Sequence, residues 1–382
     1  MVAATPHIEG HCDRRFAGLR SAFAENFHSL EELGAALSVM LEGEPVVDLW
    51  GGWMDQARTR PWQRETLVNV YSVGKPMVAV CLLMLAEQGR LDLDAPVAEH
   101  WPEFACAGKE RITPRMLLAH RAGLPAIARP LPALCMYDWG RMTAALAAQE
   151  PWWQPDSGHG YHVNTFGFLI GELVRRVSGE RVGAYFARTI ARPLGADFHF
   201  GLHAGEEHRV AEFLTPEMPS GLAAADATNM VSLAYLNPPG VSGLDTVNTR
   251  AWRAAEIPSG NGHSNARAVA RIYSALAAGG ALDGVRVLGA QTIALATREA
   301  SSGRDAVLDR PSRFGLGFQL TQPERPLGPN PHSFGHFGAG GALGFADPEH
   351  ALAFGYTPNH GRGPRWQNPR NRALLDALYA SL

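Results

Sequence analysis

Ser72 and Lys75 stand three residues apart in Tyr71-Ser72-Val73-Gly74-Lys75-Pro76, where the β-prone run Thr66 to Val70 gives way to an almost wholly apolar stretch from Met77 to Ala86. A helix that starts near Ser72 carries both side chains on one face of its first turn, so a hydroxyl meets a primary amine. A serine hydroxyl is a weak nucleophile until an adjacent base takes its proton. An ordinary lysine is no such base at neutral pH. Bringing its pKa from about 10.4 to near 7 costs roughly 4 to 5 kcal/mol, of which a helix N-terminus supplies only about 0.3 to 1 kcal/mol. The rest must come from desolvation in a closed site. An S-x-x-K string alone is as readily a helix cap followed by a solvated lysine. Its chemistry therefore depends on what else reaches it.

Two later stretches supply partners. Gly158-His159-Gly160-Tyr161-His162-Val163-Asn164 sets a tyrosine on a turn just before a helix expected from Thr165. A phenol with a pKa of about 10 becomes an acid/base group when a nearby cation lowers that value. Lys75 is the cation if the two converge, and the pair then titrates together with the proton on either member. In isolation, Tyr161 equally suits a turn residue whose ring packs on Trp152 or Trp153, an aromatic wall or part of the core. Gly335-His336-Phe337-Gly338-Ala339-Gly340-Gly341 lies on or beside a late strand. Glycines there let a substrate approach the backbone, and an exposed strand N–H serves as one oxyanion donor beside the amide of Ser72. A bulge that bends the sheet accounts for any single glycine of the run just as well.

These stretches must be positioned by elements far apart in the chain. Phe16, Leu19, Phe23 and Phe27 recur at helical spacing, and Ala36 to Leu41 with Pro45 to Trp50 make a hairpin around Glu42-Gly43-Glu44. A strand from Leu67 to Val70 is expected to feed the Ser72 helix, which Gly89 closes. Helices then dominate: Thr113-Pro114 caps one, and others are expected at 141–149, 166–177, 182–190 and 266–278. Strand signals return at 315–320, 332–337, 342–346 and 352–356, before a last helix from Asn368 to Leu382. Strands at both ends with helices between imply one antiparallel sheet built from the two termini, a helical insertion, and a cleft between them.

Composition narrows the class. The 382 residues are 46% hydrophobic and 19% charged with a formal net charge of -3, enough for a sizeable core and no basis for a polyanion-binding surface. Nucleic acid is not an expected partner. Cys12, Cys81, Cys106 and Cys135 are widely spaced, as reduced thiols of a cytoplasmic protein are. Met1 to Gly10 lacks the basic and apolar regions of a secretory leader, and no apolar run reaches the roughly 20 residues a bilayer needs, so no membrane partner is expected.

Ser72-x-x-Lys75, then Tyr161, then His336-x-Gly338, together with Leu117-Leu118-Ala119-His120-Arg121-Ala122-Gly123-Leu124-Pro125 and Phe345-Ala346-Asp347-Pro348, resemble the penicillin-recognising serine hydrolase superfamily. Within it the chain is most similar to the class C β-lactamase-like esterases, or family VIII carboxylesterases. The resemblance implies an α/β sandwich domain plus an all-α domain in a β-lactamase/transpeptidase-like fold, with residues 1–95 and 280–382 in the first and 96–279 in the second. It further implies Ser72 as nucleophile, Lys75 as its activating partner and Tyr161 as the group that takes and returns the proton. His336 and Gly338 fill the third motif, with the Ala339 amide completing the oxyanion hole. Valine at 163 departs from the β-lactamase Y-x-N motif and removes an amide that would hold a substrate amide. His336 replaces a lysine and is mostly neutral at pH 7, a weaker counter-ion for a β-lactam carboxylate.

The expected activity is therefore hydrolysis of short-chain or small aryl esters through an acyl-serine, without metal or cofactor. A β-lactamase, a D-amino acid peptidase, an acyltransferase, an amide hydrolase and a non-catalytic sensor on the same scaffold are the alternatives. The sequence leaves the oligomeric state open. Two other sites are weaker. Gly262-His263-Ser264-Asn265-Ala266 nearly spells a nucleophile elbow, with Asp347 and His360 later, but no apolar strand feeds it, and Ser264-Asn265 suits a helix cap. His7, His11 and Cys12 cluster without the helix of a zinc motif, in a polar end expected to be mobile.

Overall fold

The computed structural model describes residues 7–215, 229–361 and 368–382, which leaves part of the expected leader-free start outside the described residues. Nine strands form one antiparallel sheet: β1 (Ile8–Cys12), β2 (Gly34–Leu41), β3 (Glu44–Gly52), β4 (Ser301–Arg304), β5 (Pro311–Phe314), β6 (Gln319–Leu320), β7 (Phe334–Phe337), β8 (Leu343–Asp347) and β9 (Leu352–Pro358). Their spatial order is β1-β3-β2-β9-β8-β7-β6-β5-β4, so β2 from the N-terminal part lies beside β9 from the C-terminal part. The expected hairpin is β2–β3, turned at Glu42 and Gly43, both with positive φ.

The two faces of the sheet are packed differently. Leu37, Val39, Phe345, Phe354 and Tyr356 face α1 (Ala17–Ser29) and a C-terminal helix, and share a core with Phe16, Phe23 and Leu374. The alternate residues Ala36, Ala346 and Ala353 point the other way and are small. Helix α2 (Gly74–Glu87), apolar on nearly every side and buried from Gly74 to Leu83, lies near that face, and α3 (Thr165–Ser178) packs on α2. The fourth, α4 (Ala266–Ala277), lies directly on β9 and β8. It can do so because a Cβ on Gly355 of β9 would stand 2.2 Å from the Ala266 carbonyl oxygen. The last helix, α5 (Pro369–Tyr379), closes the opposite layer against α1.

Several expectations need correcting. The strand meant to feed Ser72 is only Val68–Asn69, and it joins a separate three-stranded sheet with His263–Ser264 and Phe198–His199. The helix expected near 266 packs on β9, β2 and β8 of the sheet. The segment containing His11 and Cys12 is not loose but an edge strand, β1. It escaped notice, as did β4, because an edge strand with mostly exposed residues carries no apolar alternation. All four cysteines are free. Among the described residues no helix is long and apolar enough to cross a membrane.

Candidate active site

Ser72 lies in a tight turn, Tyr71–Val73, immediately before α2. Tyr71 has a φ of 49°, so the chain swings into the helix through a left-handed residue, a conformation costly for a side chain of that size. Its ring is buried, edge-on to Phe213 at 5.0 Å. Lys75, in the first turn of α2, is completely enclosed. Its Nζ is 3.0 Å from Ser72 Oγ, 2.7 Å from the Val163 carbonyl oxygen and 3.1 Å from that of Ser259. Burial drives its pKa well below the ordinary lysine value. Two carbonyls satisfy the two N–H groups of a neutral amine, whose lone pair is then left for the Ser72 hydroxyl.

Tyr161 completes the cluster. Lys75 Nζ sits 4.7 Å from the centre of its ring, and its hydroxyl is 3.4 Å from His336 Nε2. Burial raises the phenol pKa, against a smaller opposing effect of the Ser72 hydroxyl. Burial, not Lys75, therefore sets the direction of the shift, which favours the protonated phenol. His336 Nδ1 is 2.7 Å from the Phe337 carbonyl, which fixes the proton there and leaves Nε2 to accept from Tyr161. Burial first, then the proximity of Lys75, depresses the His336 pKa. His336, with its pKa depressed, thus stands beside the Tyr161 hydroxyl as a hydrogen-bond partner and makes a poor counter-ion.

The Tyr161 ring stacks on Phe314 and leans on His120, not on Trp152 or Trp153. Trp152 donates to the Ala126 carbonyl, and Trp153 meets His162. His162 is locked between the Gly160 carbonyl (2.7 Å) and the Leu124 amide (3.0 Å), and burial pushes its pKa down to about 4.

Of the third motif, Ala339 borders the cleft that also exposes Ser72, whereas the Gly338 amide is taken by the Ala342 carbonyl at 2.7 Å. Gly338 is needed for another reason: a Cβ there would stand 2.4 Å from the Val70 carbonyl oxygen, two residues before Ser72. The cleft is lined further by Tyr71, Asn164, Tyr235 and Leu244, and none of its described lining residues is charged. The side-chain amide missed at Val163 is present one residue on, where Asn164 spends it on the Ala234 carbonyl (2.8 Å) and the Ser242 hydroxyl (2.9 Å).

The competing sites do not assemble. Ser264 is buried and donates to the Asp197 carbonyl at 3.0 Å, while Asn265 caps α4 by accepting from the Ala268 amide at 2.9 Å. Asp347 is held by Tyr379 and Asn330, and His360 by the Glu31 carbonyl. Among the described residues no group of three or more histidine, cysteine, aspartate or glutamate side chains can hold a metal ion.

The sequence model of the family described as Beta-lactamase matches residues 19–379. The esterase/beta-lactamase LipL of Mycobacterium tuberculosis is 36% identical over 92% of this chain and 83% of its own length. The chain belongs to the beta-lactamase family. Its fold is that of the family: the crystal structure of a family VIII carboxylesterase covers 98% of this chain and 100% of its own with a TM-score of 0.92 at 42% identity. A penicillin-binding protein homologue from Caulobacter crescentus matches over 98% and 100% with a TM-score of 0.91 at 39% identity.

Within this beta-lactamase-family frame, three supports of the site went unread in the sequence. Ser259 gives its carbonyl to Lys75 and accepts the Gly167 amide of α3 on its hydroxyl at 2.6 Å. His120 accepts the His162 amide on Nδ1 at 3.2 Å. Asp305 accepts the Tyr161 amide. His120 was visible in the Leu117–Pro125 stretch, but its neighbours are residues 41 to 194 positions later. For Ser259 and Asp305 no local signal exists, since each acts through contacts that only the folded chain makes.

Proposed function

We propose that the chain is a serine carboxylesterase acting on uncharged short-chain or small aryl esters, with Ser72 as nucleophile, Lys75 as base and Tyr161 as proton donor. One observation carries the reading: Lys75 Nζ lies 3.0 Å from Ser72 Oγ while two carbonyls occupy its N–H groups. Lys75 takes the Ser72 proton as Oγ attacks the ester carbonyl carbon, and the amides of Ser72 and Ala339 hold the resulting oxyanion. As the carbon–oxygen bond to the alcohol breaks, Tyr161 donates its proton to the leaving oxygen. A phenol of raised pKa keeps that proton until an alkoxide calls for it. The ammonium on Lys75, close over the ring, offsets the phenolate that remains. Water then attacks the acyl group and gives its proton to Tyr161, while Ser72 recovers its own from Lys75.

The lack of charge among the described residues lining the cleft, and a His336 whose pKa is depressed, favour esters over β-lactams, whose carboxylate needs a cation. Four free thiols support a reducing compartment, the cytoplasm. The deciding experiment compares p-nitrophenyl esters of graded acyl length with nitrocefin. Short esters are expected to turn over fastest, and Ser72→Ala to lower kcat by about 10⁴-fold or more. Nitrocefin turnover far above that of every ester, or an active Ser72→Ala, would overturn the assignment.

A further inference from the structure

Asp305, in the connection between β4 and β5, is fully buried. Its Oδ1 accepts from the amides of Tyr161 (3.0 Å), Val307 (2.9 Å) and Leu308 (2.9 Å). Its Oδ2 accepts from the same Tyr161 amide (3.1 Å) and from the Ser312 hydroxyl (2.9 Å). Ser312 Oγ is also 2.8 Å from His159 Nε2. Because Ser312 spends its single proton on the carboxylate, it must accept an N–H from His159. Serine, histidine and aspartate thus meet in an order unlike that of a catalytic triad: the buried serine stands between the other two, donating to the aspartate and accepting from the histidine. What the cluster does is grip the turn carrying Tyr161. The same hairpin takes hold of the turn twice more, through the Ala306 amide on the His159 carbonyl (3.1 Å) and through Phe314, stacked on the Tyr161 ring at 5.7 Å and 6°.

We propose that Asp305 is a positioning residue for acyl transfer, binding the Tyr161 amide so that the phenol is held at the distance from Ser72 at which it can protonate the departing alcohol. The inference rests on the reading of Tyr161 as proton donor. Asp305 is not among the described residues that line the cleft, and its contact with the three reactive side chains is through the Tyr161 amide. Asparagine holds the turn less well, since its NH2 would take the place of Oδ2, lose one of the two acceptors for the Tyr161 amide and force the Ser312 hydroxyl to turn from the carboxylate to His159. An alkoxide leaves an ester only with a proton, whereas p-nitrophenolate leaves without one. Loss of Asp305 therefore shows in the choice of leaving group.

The test measures kcat/KM for ethyl acetate, by titration of released acid, and for p-nitrophenyl acetate, which share an acyl group. Asp305→Asn is expected to lower the first about 100-fold and the second less than about 5-fold. Ser312→Ala, which removes one donor to the carboxylate, should shift the ratio in the same direction by less, and it carries the test if Asp305→Asn does not fold. Added to Tyr161→Phe, the Asp305 change should leave the ratio where Tyr161→Phe set it. Equal loss on both esters, a further shift in the Tyr161→Phe background, or a wild-type ratio in Ser312→Ala where it is the only folded variant would overturn the role of Asp305. A Tyr161→Phe enzyme with the wild-type ratio would instead overturn Tyr161 as the donor, and this inference with it.

Discussion

Lys75 is held by a hydroxyl and two backbone carbonyls, and the pH response of the enzyme follows from that enclosure. Desolvation lowers its pKa and raises that of Tyr161, so the base becomes available below the ordinary lysine range while the phenol stays protonated. Protonated Lys75 cannot accept the Ser72 proton. kcat/KM for a p-nitrophenyl ester is therefore expected to rise with pH through one ionisation well below the ordinary lysine value and then level off, and Lys75→Arg should abolish the plateau. A profile between pH 5 and 10 checks this, and a rise that begins only above about 10 would refute a neutral lysine. At this scale the types of Ser72, Lys75 and Tyr161 were legible because reactive side chains announce their chemistry. Val163 was not: judged by its side chain it marks a missing amide, yet its contribution is a backbone oxygen that any residue type supplies.

At the scale of elements, the site depends on how closely β7 and the chain before α2 approach. Gly338→Ala would drive a methyl group into the Val70 carbonyl, and the least costly relief is a shift of the strand end away from Ser72. A displacement of about 1 Å at reacting groups costs on the order of 100-fold in rate. Gly338→Ala is thus expected to lose about that much kcat while its melting temperature changes little, as steady-state kinetics and calorimetry would reveal; full activity would show that the approach is not needed. The neighbouring decoy behaves oppositely. Ser264→Ala should keep activity, and Asn265→Ala should cost about 1 kcal/mol of stability through the lost cap of α4 with kcat unchanged, read by urea unfolding beside the ester assay. Long apolar-periodic helices such as α1 and α3 were readable in advance, since burial of one face imposes the period. The β4–β5 hairpin was not, because most residues of β4 are exposed; the strand before Ser72 was legible, but its pairing into a separate sheet with residues near 198 and 263 was not, because those partners are remote in the chain.

The whole molecule is closed by its two ends. Glu32 and Arg370 pair at 3.1 Å with side chains 0% and 2% exposed, and the Tyr356 hydroxyl donates to the same carboxylate. Arg370 also donates to the carbonyls of Leu30 and His360, so the start of α5 is bound to the chain entering β2. Removing one partner of such a pair strands the other charge away from water. Glu32→Ala is expected to cost about 3 to 5 kcal/mol of unfolding free energy, measurable by chemical denaturation, while kcat/KM of the folded fraction is retained. A loss below about 1 kcal/mol would mean that the pair does not fasten the termini.

The sequence by itself singled out Ser72, Lys75 and Tyr161 as candidates for one site, and determined the antiparallel sheet shared by both ends and the family to which the chain belongs, because these rest on residue type, spacing and periodic burial. Only the tertiary structure decided the directions in which the Lys75 and Tyr161 pKa values move, that His336 lies against the Tyr161 hydroxyl, and that α4 packs on the sheet. Each of those outcomes depends on desolvation or close approach, and both are properties of surroundings assembled from residues remote in the chain.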